Sequence, residues 1–389
     1  MEESKQDGAQ QIPWQQGLFD AHCHPTDTML SIEDIPNMKA AVLTIMATRR
    51  EDQDLVNQVA ERFPHTSKND SNEDERVATQ VIPSFGWHPW FSHQLHDDRG
   101  VDSVPDRLTH YESVLTPEID DPVFVDSLPE PKSLTEFLEE TEARLRSHPN
   151  ALVGEIGLDK SFRLPKEWTP IEKESRDASV TSGSREGRLL SPYKVQMAHQ
   201  KLVLEAQLRL AAKLDRPASM HSVQAHGAVY EVLQGLWTGH ERVSGRQRKR
   251  RGSAADAHVH EDDPLDEEAT EPLPFPPRVC MHSYTGPADF LREFVHRTVP
   301  VDFYFSFSEV INFSTPSKKN KIEDVIKAVP ETRILIESDL NIAGETMDKR
   351  LGEVFQRLCT IRKWSPQKGV EILRRNWHNF MFDPGEVTQ

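Results

Sequence analysis

Eight short apolar runs recur along this chain, and that repetition restricts its fold more than any other feature. They occupy residues 18–22, 41–47, 80–85, 152–156, 217–221, 278–282, 301–307 and 333–337. Each is close to continuously apolar rather than alternating, the mark of a strand buried on both faces in a parallel sheet covered by helices. Amphipathic stretches such as 52–63, 134–147, 196–214, 228–237, 288–296, 322–329 and 348–363 lie between and after them. A strand followed by a helix, eight times over, predicts an α/β fold of the (β/α)8, TIM-like barrel type. A doubly wound open sheet has the same periodicity and stays open as the alternative.

Composition explains how 389 residues fit one such domain. The hydrophobic set is 36%, or about 41% with the 18 glycines, below the ~45–50% of an ordinary globular chain. The deficit sits in four polar blocks, 63–80, 97–133, 160–193 and 240–277, rich in Pro, Ser, Asp and Glu and without sustained period. They read as loops or disordered inserts on a single barrel. The expected plan is a tail over 1–17, a barrel over 18–382 and a tail over 383–389. The fourth block carries a basic run, Arg246 to Arg251, followed by an acidic one; it reads either as a nuclear-import patch or as a solvated, self-neutralising loop.

The formal charge of −17, from 46 Lys and Arg against 63 Asp and Glu, repels polyanions, so a phosphate-bearing substrate needs a local attraction. Three cysteines, Cys23, Cys280 and Cys359, make no disulfide framework and point to a reducing compartment. No 18-residue apolar run and no signal-peptide core are present, so the expectation is a soluble protein of the cytoplasm, the nucleus or both, without a membrane partner.

The strand ends carry the chemistry. The first runs into His22 and His24, which period-2 alternation places on one face with Cys23 on the other. The third leads to Trp87 and His88, the fourth holds Glu155 and leads to Asp159, the fifth ends at His221, the sixth at His282, and Asp339 follows the eighth. In a barrel these ends meet at the C-terminal mouth. Alone, each has an ordinary reading as a bonded core histidine or a solvated carboxylate; together, a mixed His and carboxylate set suits a borderline divalent ion. Four histidines and two carboxylates converging there exceed the four ligands of a tetrahedral site, so two ions sharing a carboxylate fit better.

In their order along the chain, His22 and His24, Gly154-Glu155-Ile156-Gly157-Leu158-Asp159, His221-Ser222, His282-Ser283-Tyr284-Thr285-Gly286 and Glu337-Ser338-Asp339 resemble the TatD-type metal-dependent deoxyribonucleases of the amidohydrolase superfamily. Asn376 and Phe380 resemble the family's C-terminal ending. The resemblance spans about 18–382 and implies a barrel with two divalent ions, Mg, Mn or Zn. His22, His24 and Asp339 would hold the first, His221 and His282 the second, and Glu155 would bridge them. It also implies DNA as substrate, a metal-activated water as nucleophile and Asp339 as general base. Fungal-type relatives with such inserts are described as partners of a TPR-repeat cell-cycle protein, which makes such a protein a candidate partner.

Two departures bear on substrate. Val223 stands where the family usually has an arginine, and Leu340-Asn341-Ile342-Ala343-Gly344 replaces an Ala-Pro-Tyr-Leu-like segment. Replacement phosphate contacts are Lys318, Lys319 and Lys321 after the seventh strand, or Arg49 and Arg50 after the second, against a reading as plain surface charge. Beside His88, Trp87, Trp90 and Phe91 are candidates for stacking on bases or for packing under the following insert. A hydrolase of another ester or amide, and an enzyme-derived interaction protein, are the competing functions.

Overall fold

The computed structural model describes residues 11–66, 78–100, 105–242, 272–315 and 319–382. Its main sheet has eight strands: β1 (Phe19–Cys23), β2 (Val42–Met46), β3 (Gln80–Phe85), β4 (Leu152–Asp159), β5 (Ala218–Val223), β6 (Arg278–Met281), β7 (Asp302–Phe307) and β8 (Ile334–Ile336). They pair in chain order and in parallel throughout. That order removes the doubly wound alternative, in which the strand sequence reverses direction.

The first and last strands meet where the site begins. The Asp339 N–H donates to the His22 carbonyl at 3.0 Å, and the His24 N–H donates to the Leu340 carbonyl at 2.7 Å. Asp20, fully buried, pins this seam by accepting from the His22 N–H at 3.1 Å and the Ser338 N–H at 2.9 Å. Closing the barrel therefore also sets the spacing between His22, His24 and Asp339.

The principal helices are α1 (Gln53–Arg62), α2 (Arg107–Val114), α3 (Pro122–Ser127), α4 (Leu134–Ser147), α5 (Met197–Lys213), α6 (His226–Trp237), α7 (Ala288–Phe294), α8 (Lys319–Ala328), α9 (Glu345–Arg362) and α10 (Pro366–Met381). Their ends follow local chemistry. Ser133 caps α4 by accepting from the Glu136 N–H, and Arg144 and Arg146 face the negative end of its dipole. Ser365 caps α10, with Pro366 at its first position. Trp377, Phe380 and Met381 of α10 pack with Val42, Leu152 and Leu335 in a second apolar cluster. Val42 and Leu152 are the first residues of their strands, so α10 closes the N-terminal end of the barrel. Asn376 fastens it there by donating to the Glu331 and Ile334 carbonyls at 2.8 and 2.9 Å.

Two of the polar blocks differ from the expectation of loops. The block over 97–133 contains α2 and α3, and it packs with the block over 160–193 around Tyr111, Phe124, Leu164 and Tyr193. Residues Leu115–Thr116 pair antiparallel with Lys194–Val195. Part of the polarity that reads as loop is capping: Asp106 and Asp121 accept the N–H groups of Thr109 and Phe124. Most of the first block, most of the fourth and the whole basic run at 246–251 lie outside the described residues. Among the described residues, no helix is long and apolar enough to cross a membrane.

Candidate metal centre

Alternation along β1 sends His22 inward, fully buried, while the Cys23 thiol packs against the Thr44 carbonyl at 3.5 Å. The Ser219 hydroxyl, 2.9 Å from His22 Nδ1, holds that ring so that Nε2 faces the mouth. His24 follows the strand, Glu155 lies within β4, His221 within β5, His282 directly after β6, and Asp339 after β8. The barrel thus brings all six candidate ligands into one cluster.

Glu155 is the centre of that cluster. Its Oε2 lies 3.3 Å from His22 Nε2 and 3.4 Å from His24 Nε2. Its Oε1 lies 2.8 Å from His221 Nδ1, 2.8 Å from His282 Nε2 and 3.2 Å from His88 Nε2. Asp339 Oδ1 completes the first group, 3.5 Å from His24 Nε2 and 3.9 Å from His22 Nε2. One carboxylate therefore turns one oxygen to His22 and His24 and the other to His221, His282 and His88, while His282 also lies within ligand-group distance of His22 and Asp339.

The donor chemistry fits divalent cations. His22 and His24 bring their Nε2 atoms within 3.0 Å of each other, and His221 Nδ1 approaches His282 Nε2 at 3.3 Å. Both pairs are at hydrogen-bond distance, and both converge on the Glu155 carboxylate as ligands of a common ion would. The field points the same way. Burial disfavours the His24 cation, yet Asp339, Glu155 and Asp27 hold its pKa up to about 9. Burial likewise disfavours charge on Glu155, but His88, His282 and His22 keep it ionised well below the usual carboxylate range. A buried carboxylate held ionised among imidazoles is suited to a cation.

Partners behind the ligands fix their rings. The His221 Nε2 faces Asp159 Oδ2 at 3.2 Å, and the Trp90 indole N–H donates to the same oxygen at 2.7 Å. His282 Nδ1 lies 3.5 Å from the fully buried Glu337, which accepts from the hydroxyls of Ser283 and Ser306. Such outer carboxylates orient metal-binding histidines and raise their basicity. Asp159 stands in the sequence at a strand end, while Glu337 appears there only as a motif letter; a usable signal for Glu337 is its place two residues before Asp339.

The candidate substrate contacts separate. His88 reaches the centre, with Nδ1 accepting the Trp90 N–H at 3.1 Å. Trp87 does not: it is 1% exposed, its indole N–H donates to the Phe91 carbonyl at 2.8 Å, and it meets Phe137 edge-on. Extended backbone places it opposite His88, under the following turn, so stacking on a base is closed to it. Trp90 is the exposed tryptophan here, stacked on Phe162 at 4.6 Å and 10°. Lys318 and the side chain of Lys319 lie outside the described residues, while Lys321 is exposed on α8. Arg50 is exposed and reaches the Glu130 carbonyl. Arg49 is buried and bound to Asp27 at 2.8 Å and Asp52 at 3.0 Å, which removes it as a free phosphate contact. The mouth encloses a cavity of about 360 Å³, with Val223 and Ile311 on its wall.

Known proteins are similar to this chain in sequence and in fold. The family model for TatD related DNase matches residues 19–381. The chain is 35% identical over 369 residues to the Cut9-interacting protein scn1 of Schizosaccharomyces pombe, covering 94% of this chain and 99% of that protein. It is 27% identical over 351 residues to the uncharacterized deoxyribonuclease YMR262W of Saccharomyces cerevisiae, covering 88% and 90%. In fold it is similar to the TatD homolog YJJV of Escherichia coli, with a TM-score of 0.51 at 18% identity over 94% of this chain and 97% of that one. An uncharacterized amidohydrolase of Saccharomyces cerevisiae gives 0.53 at 12% over 94% and 99%. With its nearly closed eight-stranded barrel, its His and carboxylate cluster and a family match over nearly its whole length, the chain belongs to the TatD related DNase family of hydrolases.

Proposed function

We propose that this protein is a two-metal hydrolase that cleaves DNA phosphodiester bonds. The observation that carries the reading is Glu155, whose two oxygens serve separate donor sets: His22, His24 and Asp339 on one side, His221 and His282 on the other. The family match supports hydrolysis, and the budding-yeast relative described as a deoxyribonuclease supports the substrate.

Divalent ions held there supply Lewis acidity, bringing a water's pKa from ~15.7 towards ~7 and offsetting charge on attacking and leaving oxygens. Asp339 acts as ligand and general base, accepting the proton of the attacking water. His88 has a different task. Because its Nδ1 accepts from Trp90, its proton sits on Nε2, and burial keeps it neutral by pushing its pKa down to about 4. It therefore donates, to Glu155 Oε1 or to a substrate oxygen, and is not counted as a ligand.

The test is hydrolysis of single- and double-stranded DNA with Mg²⁺, Mn²⁺ or Zn²⁺. Cleavage that requires the ion and falls at least a hundredfold in His22→Ala is expected. DNA left intact by the loaded protein would reject the substrate, and a His22→Ala variant as active as wild type would reject the site.

A second reading rests on the fission-yeast relative, named for interaction with Cut9. A TPR-type cell-cycle protein bound through the inserts is the corresponding partner here, alongside catalysis. Val223 at the mouth favours a third possibility, a smaller ester or amide substrate; cleavage of DNA in preference to such compounds would set it aside.

A further inference from the structure

Between β5 and α6 the chain turns back on itself, and the turn sets a histidine behind a serine of the mouth. Gln224 takes the left-handed conformation, φ +53°, that residues with a side chain rarely adopt. The reversal brings His226, the first residue of α6, over the end of β5, where its Nδ1 lies 2.8 Å from the Ser222 hydroxyl. Tyr284 packs against the His226 ring at 5.1 Å and 47°. Ser222 is 8% exposed and lines the cavity beside Val223. His226 is not among the candidate ligands, and the proposed hydrolysis gives it no task.

The cavity is short of donors for an anionic substrate. Among the described residues lining it, Arg49 is the one lysine or arginine, and Asp27 and Asp52 already hold its guanidinium. A phosphoryl oxygen that does not lie on an ion must therefore be met by uncharged donors. Five side-chain hydroxyls stand on the wall, those of Thr48, Ser184, Ser222, Ser283 and Thr285. Thr48 donates to Asp52 at 2.6 Å and Ser283 donates to Glu337, so their protons are committed. Ser184 and Thr285 are more exposed. Ser222 alone of the five is buried and backed by a ring nitrogen. Burial first, then His221, lowers the His226 pKa to about 4, so the ring is neutral and carries one proton. With that proton on Nδ1, the ring donates to Ser222 and leaves the serine O–H free for the cavity. A hydroxyl that accepts in this way is also the stronger donor.

We propose that Ser222 is a substrate-contacting residue that donates its hydroxyl proton to a phosphoryl oxygen, and that His226 is the positioning residue that turns this hydroxyl towards the cavity by donating from Nδ1. This rests on the proposed phosphodiesterase reading. The opposite orientation, with Ser222 donating to a bare Nδ1, would point the proton away from the substrate. His226→Asn is the informative variant, because an amide nitrogen can stand near the place of Nδ1 and donate, whereas His226→Leu fills the space without a donor.

The experiment uses the full chain loaded with Mn²⁺ and bis(p-nitrophenyl) phosphate as probe, with bound manganese and the melting curve recorded for every variant. Ser222→Ala is expected to raise KM about tenfold, the effect of losing one uncharged hydrogen bond, with kcat within about threefold and bound manganese unchanged. His226→Leu is expected to raise KM to a similar extent, and His226→Asn to recover most of that loss. The double variant Ser222→Ala, His226→Leu should be no worse than Ser222→Ala, because both act through one contact. Nitrogen-15 spectra of the wild type should show His226 neutral and protonated on Nδ1. An unchanged KM in Ser222→Ala, or a loss of activity that follows a loss of manganese, would overturn the contact. Losses that add in the double variant, or a proton found on Nε2 with Nδ1 bare, would overturn the positioning role. A wild type that leaves the diester intact would instead overturn the phosphodiesterase reading, and the contact with it.

Discussion

The same eight strands end very differently at the two mouths of this barrel. At their N-terminal ends they meet Trp377, Phe380 and Met381 of α10, an apolar plug fastened by Asn376. At the opposite ends they meet His22, His24, Glu155, His221, His282 and Asp339, a buried concentration of charge that burial alone disfavours. One end contributes stability; the other holds a cluster of imidazoles and carboxylates suited to divalent cations. Substitutions at the two ends should therefore affect different measurements.

The largest separation is expected from Trp377→Ala. Removing a side chain that is 1% exposed and stacked on Phe19 at 4.5 Å should cost about 3–5 kcal/mol, read as a lower urea midpoint. Metal affinity of the remaining folded protein should stay within about threefold of wild type. A parallel collapse of metal affinity would mean that the two ends are not separable.

The converse variant is Glu337→Gln. It keeps the shape beside His282 Nδ1 but weakens the carboxylate that orients the ring. Divalent-ion affinity, measured by chelator competition, should fall about 10–100-fold, with Glu337→Asp intermediate. An unchanged affinity would show that the Ser283 and Ser306 contacts suffice without the charge.

A smaller effect should come from neither end. His93 and His110 lie buried at the junction with the second insert, and burial first, then neighbouring histidines, lower their pKa values to about 3 and about 4. In the unfolded chain both titrate near 6.5. Below that pH the unfolded state takes up protons that the folded state refuses, so their stability contribution is complete above about 6.5 and is lost as pH falls towards 4. Wild type should lose stability relative to His93→Leu over that window. Parallel pH profiles would assign the acid sensitivity elsewhere.

The strands and ligands were legible because each depends on a local rule. A parallel strand buried on both faces must be a short apolar run, and a ligand at a barrel mouth must stand at or just past the end of one. What escaped depended on residues distant in sequence. Trp87 and Trp90 look alike as letters, and only the turn at Pro89–Gln94 buries one and presents the other. Arg49 reads as a surface cation until Thr181 and Ser182, over 130 residues later, are laid across it. The inserts at 97–133 and 160–193 lack a period of their own because each supplies only part of a shared apolar cluster.

A carboxylate shared by two ion sites, the role proposed for Glu155, leaves its mark on metal stoichiometry. Purified protein equilibrated with Mn²⁺ or Zn²⁺ should bind two ions per chain, while Glu155→Ala, checked for folding by its melting curve, should lose high affinity for both. Retention of two tightly bound ions by Glu155→Ala would contradict the account.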